Sequence, residues 1–327
     1  MPFNEIPGQE RVKTILQTSL REGTLSHAYI FEGPKGTGKR ATARALAQAL
    51  FCIEGGSDAC GRCAECRKVV SGNHPDVLWM QADGAAVKIE QIRELQRQFA
   101  YKSSHSSRSR IYIIEDAEKM TPQASNAMLK FLEEPSAQIV AVLITENGQA
   151  LLPTILSRAQ RLAFVPLSAE EMEDALIGEG HPAALVRPAV RLASGLGTAR
   201  EFIQINWFAE TRNAVLQLAK ETAHGFPAAM IAGQSVLSKP EVSEHLDTFF
   251  DLFALWCKDM ILLQRRETGR VVFIDSLDWG KKQADSKPFQ VWVSGMDEAL
   301  QAKKRLRQHA GPQLVLERFL YALQGGQ

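Results

Sequence analysis

At 327 residues the chain is longer than one hydrophobic core usually serves, so two or three domains are expected. Its 45% hydrophobic and 23% charged fractions are those of a soluble globular protein, and a formal net charge of +1 excludes bulk attraction to nucleic acid or a membrane surface. Five cysteines, four of them clustered, argue for a reducing compartment over a disulfide framework. No run approaches the ~18 apolar residues of a membrane span and the first residues lack a signal peptide's apolar region, so a cytoplasmic address is expected, with no membrane partner.

Val12, Ile15, Leu16 and Leu20 recur at helical spacing, and Gly23 ends that segment. Ala28-Tyr29-Ile30-Phe31 predicts a buried strand running into a glycine loop, and Ala41 to Phe51 predicts the helix that follows. Further strands are predicted at Val77 to Met80, Ile111 to Glu115, Ile139 to Thr145 and Leu162 to Val165, with helices at Ile89 to Phe99 and Pro122 to Glu133. Strands alternating with helices imply a parallel sheet covered on both faces. Ser103 to Ser109 reads as a polar loop.

After Pro166 the strands stop. Ser168 with Glu171 forms a capping box that opens a small helical unit running to about residue 208. Trp207 to Gln264 and Pro288 to Leu323 are apolar at helical periods, with Gly269 to Gly280 as a break between helices. The expected division is therefore 1–165 as an α/β nucleotide-binding-like domain, 166–208 as a small helical domain and 209–327 as an all-α domain.

Gly33-Pro34-Lys35-Gly36-Thr37-Gly38-Lys39 matches G-x-x-x-x-G-K between a strand and a helix, the context the phosphate-binding mechanism needs. Gly33, Gly36 and Gly38 let backbone N–H groups face phosphate oxygens, the helix N-terminus adds its dipole, and Lys39 reaches the terminal phosphates. The next residue should carry a hydroxyl for Mg²⁺; here it is Arg40, which has no lone pair to give and repels the metal. Thr42 cannot replace it, because two residues along a helix turn a side chain by about 200°. Two readings stay open: a degenerate loop kept for the fold, or nucleotide binding without efficient hydrolysis. The acidic strand end Glu115-Asp116 reverses the usual Asp-Glu order, so each carboxylate misses its station by one methylene, and a shift of about 1 Å can cost on the order of a hundredfold in rate.

Cys52, Cys60, Cys63 and Cys66 have the spacing C-x7-C-x2-C-x2-C, compact enough for one tetrahedral Zn²⁺. Four thiolates leave no open position, so the 52–66 module is structural and not catalytic. Cys257 lies in an apolar run and reads as a buried helix residue, and His74 as shaping the turn before Pro75. Lys303, Lys304, Arg305 and Arg307 make a basic run read as a solvated helix face in preference to a DNA contact.

Leu25-Ser26-His27-Ala28-Tyr29, the phosphate loop, the four cysteines, His74-Pro75-Asp76, Asn126 to Pro135 and Thr154-Ile155-Leu156-Ser157-Arg158 together resemble the bacterial clamp-loader subunits of the AAA+ class. The last block is similar to that family's serine-arginine-cysteine motif, with Ala159 in place of the cysteine. The motifs cover about residues 1–165. The resemblance implies an AAA+ α/β fold with an inserted zinc module, then a small helical lid and an all-α collar used for oligomerisation. Loss of both the Mg²⁺ hydroxyl and the acid order is similar to the non-hydrolysing branch of the family. That branch implies a DNA polymerase III subunit in a five-membered ring with delta and three gamma/tau motors, which opens the sliding clamp and loads it on primed DNA. Arg158 would then be an arginine finger for the ATP of a neighbour, while ATP and Mg²⁺ binding by this chain itself is in doubt. The first sensor position falls near Thr145 and Glu146, and the second near Ser194-Gly195, with Thr198 there and Arg200 two residues late; neither supports self-contained catalysis. The alternatives are an active motor of gamma/tau type and a stand-alone zinc-containing nucleic-acid binder, the latter disfavoured by the +1 charge.

Overall fold

A computed structural model describes residues 2–82, 84–102, 109–133 and 139–323. The predicted Ser103 to Ser109 loop, except its last residue, and the Glu134-Pro135 end of the Asn126 block lie outside the described residues. The chain forms two compact units, residues 1–171 and 172–327.

The first unit is built on five parallel strands: β1 (Ala28–Glu32), β2 (Val77–Met80), β3 (Arg110–Ile114), β4 (Ile139–Thr145) and β5 (Gln160–Ala163), in the order β2-β3-β4-β1-β5. Helices α1 (Glu10–Glu22), α2 (Lys39–Phe51), α3 (Ala64–Val70), α4 (Ile89–Lys102), α5 (Pro122–Glu133) and the short α6 (Pro153–Leu156) connect or cover them. The period-2 alternation of strand side chains divides the core into two layers. Tyr29, Phe31, Ile111, Ile113 and Val142 pack on one face with α1 and α2, and Ala28, Ile30, Tyr112, Ile114 and Leu143 on the other with α4 and α5. Burial on both faces explains why Ile111 to Ile114 of β3 reads as an unbroken apolar run. Each fully buried Leu, Ile or Phe here is worth roughly 1.5–3 kcal/mol.

Two strand expectations shift in register. The third strand ends at Ile114, because Asp116 turns the backbone into the left-handed region (φ 50°, ψ 47°) immediately after Glu115. The fifth spans Gln160–Ala163 instead of Leu162 to Val165, since its partners on β1 run from Tyr29 to Glu32 and the ladder ends with Phe164 N–H donating to Glu32 O at 2.7 Å. The α1 terminator is as expected: Gly23 is left-handed (φ 67°) and Thr24 N–H closes back on Ser19 O at 2.9 Å.

The capping box is also in place, with Glu171 N–H donating to Ser168 Oγ (3.1 Å) and Ser168 N–H to Glu171 Oε2 (2.7 Å) at the start of α7 (Ala169–Gly178). The second unit continues as helices α8 (Ala183–Leu192), α9 (Leu196–Gln204), α10 (Asn206–Glu221), α11 (Phe226–Ser238), α12 (Pro240–Ser243), α13 (Leu246–Gln264), α14 (Leu277–Ser286), α15 (Phe289–Arg307) and α16 (Pro312–Leu323). Its core surrounds α13, where Phe249, Phe250, Phe253 and Trp256 are buried. Gly295 lets α15 approach so closely that an added Cβ would meet Cys257 Sγ at 3.1 Å and Leu323 at 2.9 Å. The same core takes in Ala189 of α8 and Phe208 of α10, and residue 208 lies inside α10.

The predicted Gly269 to Gly280 break is corrected. It spans 265–276, because Gly280 sits within α14, where the missing side chain lets that helix approach Trp256, Met260 and Leu263. Cys257 is fully buried, and desolvation pushes its thiol up to about 12, so it is a packing residue. The basic run of α15 is largely neutralised within the chain: Lys303 pairs with Asp251, Arg305 with Glu298 and Arg307 with Asp247.

Candidate functional site

Phosphate loop, acidic strand end and sensor position gather at the C-terminal edge of the sheet. Glu32, where β1 enters the loop, lies in register with Thr145 at the end of β4, and β3 delivers Glu115 on the far side of β4. Lys39 opens α2 behind the left-handed Gly36 and Gly38. Its ammonium is buried and turned onto the loop's own carbonyls, donating to Gly33 O and to Pro34 O (2.7 Å). Burial pushes its pKa below the ordinary lysine value, opposed by the carboxylates of Glu146, Glu118 and Asp116.

Arg40 does what its chemistry allows in place of holding a metal: its guanidinium pairs with Glu115 Oε2. The other oxygen of Glu115 accepts the indole N–H of Trp79, from the end of β2, and Arg44 lies over that indole 5.4 Å from its centroid. Glu115 is 2% exposed with both carboxylate oxygens engaged, so a positive side chain already holds the carboxylate that would face a magnesium ion. The residues present do not fit Mg²⁺. Asp116, left-handed and half exposed, pairs with Lys119 at 2.8 Å. Thr42 is fully buried, and among the described residues its hydroxyl has no hydrogen-bond partner.

The four cysteines do converge, with Sγ atoms all within 4.8 Å of one another. Backbone N–H groups point at the sulfurs: Cys60 N–H at Cys52 Sγ (3.3 Å), Cys63 N–H at Cys60 Sγ (3.3 Å) and Cys66 N–H at Cys63 Sγ (3.4 Å). Such donors favour thiolate over thiol, and those from Cys66 and Ile53 pull Cys63 down to about 6. Burial pushes Cys66 the other way, a cost that a bound cation would offset. Gln48 of α2 anchors the module, donating to Cys66 O at 3.2 Å. The donor set fits a tetrahedral, thiolate-preferring ion such as Zn²⁺. His74 accepts Asp76 N–H (3.1 Å) and faces Glu65 (3.1 Å), the turn-shaping role expected of it.

Arg158 follows α6, its side chain 36% exposed and paired with Glu133 Oε1 at 2.9 Å, while it also donates to Thr154 O at 3.0 Å. Its guanidinium is thus at the surface of the first unit and held by one exposed carboxylate.

Residues 8–168 match the protein family described as DNA polymerase III, delta subunit. The chain is 37% identical to DNA polymerase III subunit delta' of Bacillus subtilis (strain 168), over 99% of its own length and 98% of that protein. The chain belongs to the DNA polymerase III delta-prime family. DNA polymerase III subunit gamma/tau of Mycobacterium tuberculosis (strain ATCC 25618 / H37Rv) is 35% identical over 164 residues, 50% of this chain and 28% of that protein. Among solved structures, a gamma subunit-related protein of Thermotoga maritima aligns with 97% of the chain and 98% of its own at 23% identity and a TM-score of 0.43.

Within this delta-prime family member, Thr145 is buried and its hydroxyl accepts Asn147 N–H (3.1 Å), leaving Glu146 exposed beside the loop. In the second unit Arg200 is held by both oxygens of Glu179, at 2.8 and 2.6 Å. Sequence reasoning missed Trp79 and Glu118. Trp79 lies in a strand that the sequence predicts, but its meeting with Glu115 depends on the strand order that puts β2 beside β3; Glu118 carries no signal, since a turn alone brings it near Lys39. Among the described residues no helix is long and apolar enough to cross a membrane.

Proposed function

We propose that the chain is the non-hydrolysing subunit of a bacterial replicative clamp loader, acting in the cytoplasm at the replication fork. It would stand in a hetero-pentameric ring with delta and three gamma/tau motors, and contribute to loading the sliding clamp on primed DNA. The observation that carries the reading is the Arg40–Glu115 pair. A guanidinium occupies the carboxylate that a hydrolysing subunit offers to metal and water, and Lys39 is folded onto its own loop. The full-length similarity to a delta' subunit, against half-length similarity to gamma/tau, supports this over the motor alternative. The division into an AAA+ domain at 1–165, a lid at 166–208 and a collar at 209–327 is part of the same reading. Zn²⁺ on Cys52, Cys60, Cys63 and Cys66 would cross-link the inserted module and leave no site for chemistry.

Arg158 is the residue through which such a subunit acts on ATP it does not hold. An arginine supplied from a neighbour stabilises charge on the transferring phosphoryl group, an effect of about 10³ to 10⁵ in rate. Its only carboxylate partner among the described contacts, Glu133, is itself exposed, and an exposed pair of this kind contributes under about 1 kcal/mol, so release toward a neighbour is cheap.

The test uses the reconstituted complex. Arg158→Ala is expected to leave folding and assembly intact, lower overall ATPase modestly because one interface of several is affected, and lower DNA-dependent clamp loading more. Normal assembly with wild-type loading would refute the finger assignment, and steady-state ATP turnover by the isolated chain, abolished by Lys39→Ala, would refute the non-hydrolysing one.

A further inference from the structure

The loop between Cys52 and Cys60 carries Asp58, whose carboxylate accepts three backbone N–H groups. One, from Ala59 (2.7 Å), closes its own turn; the others come from Phe3 (2.8 Å) and Asn4 (3.2 Å), more than fifty residues away. These two amides open the single 3₁₀ turn Phe3–Glu5, and unsatisfied N–H groups at a helical start are where a carboxylate is most stabilising. Pro2, just before the turn, also rests on the module: an added Cβ at Gly61 would lie 3.7 Å from its ring. Phe3 is fully exposed to no solvent and belongs to the same apolar cluster as Ala59 and Cys66.

At its other end the segment meets the phosphate loop. Ile6 is buried, with its Cγ2 3.8 Å from where a Cβ on Gly38 would stand, and its carbonyl accepts Lys13 Nζ at 3.0 Å. Asp58 itself is reached through Gly55 and Gly56, both left-handed (φ 66° and 108°) and exposed, in a stretch otherwise tied by the Glu54–Arg62 pair and the bond from Gly55 N–H to Cys52 O.

We propose that Asp58 is a positioning residue that couples the four-cysteine cluster to the segment Pro2–Ile6, so that metal on the thiolates holds that segment, and through Ile6 the Gly38 side of the phosphate loop, in place. The coupling rests on the reading of the cluster as a metal site. It gives the module a purpose beyond its own fold: it braces the Gly38 side of the phosphate-type loop.

The experiment uses the full chain and amide hydrogen exchange read by NMR at Phe3, Asn4, Ile6 and Gly38, with metal content followed by zinc release to a chromogenic chelator. Metal removal is expected to speed exchange at Phe3 and Asn4 at least tenfold and at Ile6 and Gly38 by a smaller factor, with β3 unchanged. Asp58→Ala is expected to speed Phe3 and Asn4 to the same extent while one metal per chain is retained; this variant decides the matter if metal removal unfolds β3. Protection at Phe3 and Asn4 that survives Asp58→Ala, or survives metal loss while residues 53–66 loosen, overturns the coupling alone. A freshly purified, reduced chain without metal overturns the metal reading and the coupling with it.

Discussion

The phosphate loop and the cysteine module lie at opposite ends of one helix, α2, and both are sites where an ion would be expected, yet their donors are spoken for in different ways. At the loop end the key carboxylate, Glu115, is engaged by side chains, Arg40 and Trp79, that satisfy both its oxygens and neutralise its charge. At the module end the sulfurs are met mainly by backbone N–H groups, which favour the anionic ligand, and the one guanidinium that reaches them, Arg62 beside Cys60, is exposed and shared with Glu54. A carboxylate already paired with a guanidinium offers little to a metal ion; sulfurs met mainly by backbone donors keep their charge available for one. The difference can be read from the partner's charge, where the identity of the liganding residue alone would mislead.

The largest effect should come from the module. Cys63→Ser is expected to reduce bound zinc from one per chain to a small fraction and to loosen residues 52–66, because the metal's contribution in such sites is about 10 kcal/mol or more and is felt locally. Circular dichroism of the second unit's helices should stay unchanged; full retention of zinc would break the comparison at this end.

At the loop end Arg40→Thr restores the missing hydroxyl but leaves Glu115 buried with its charge uncompensated. Destabilisation of about 3 kcal/mol is expected, at the low end for broken buried pairs because the Arg40 side chain is 64% exposed. ATP hydrolysis should not appear, since Glu115 and Asp116 remain reversed. Chemical denaturation of the single variant against Arg40→Met with Glu115→Gln should show most of the loss recovered in the double variant. A stable Arg40→Thr chain would mean that the pair is incidental.

Asp259 supplies a third case that sharpens the rule. It is fully buried on α13 and, like the sulfurs, is met by backbone N–H groups, from Val272 (3.0 and 2.9 Å) and Phe273 (2.8 Å). Here the donors do not suffice: desolvation outweighs them and raises the carboxyl from 3.8 to about 6. A folded-state pKa above the unfolded one stabilises at low pH. The contribution is therefore full below about pH 4 and lost as pH rises through about 6, a change of about 3 kcal/mol. Thermal melts of the wild type should show this component between pH 4 and 7, and Asp259→Asn should flatten it. An unchanged slope would assign it elsewhere.

Much of the first unit was legible because its signals are local. The apolar runs of β1, β3 and β4, the glycines before Lys39 and the cysteine spacing each lie within a dozen or so residues and need no tertiary knowledge. What the sequence hid is what arises between distant segments. Arg40 was readable as the wrong residue for a metal, but that it would find Glu115, 75 residues on, depends on the order of strands. Gly280 looked like a helix break because glycine is a poor helix former in isolation; packing against Trp256 and Met260 made its lack of a side chain the reason for the helix's position. Asp58 is one acid in a loop until the fold brings Phe3 and Asn4 to it.

The left-handed backbone at Asp116 bears on how such a subunit could change over evolutionary time. Restoring the Asp-Glu order of a hydrolysing subunit would place glutamate at φ 50°, ψ 47°, a conformation that aspartate and asparagine tolerate and that costs longer side chains about 1 kcal/mol or more. The same exchange would shorten the acid that Arg40 and Trp79 have between them. On the proposed non-hydrolysing reading, each single step toward an Asp-Glu pair thus passes through a less stable chain, so a gain of hydrolysis would need position 40, the acid pair and the turn that follows them to change together.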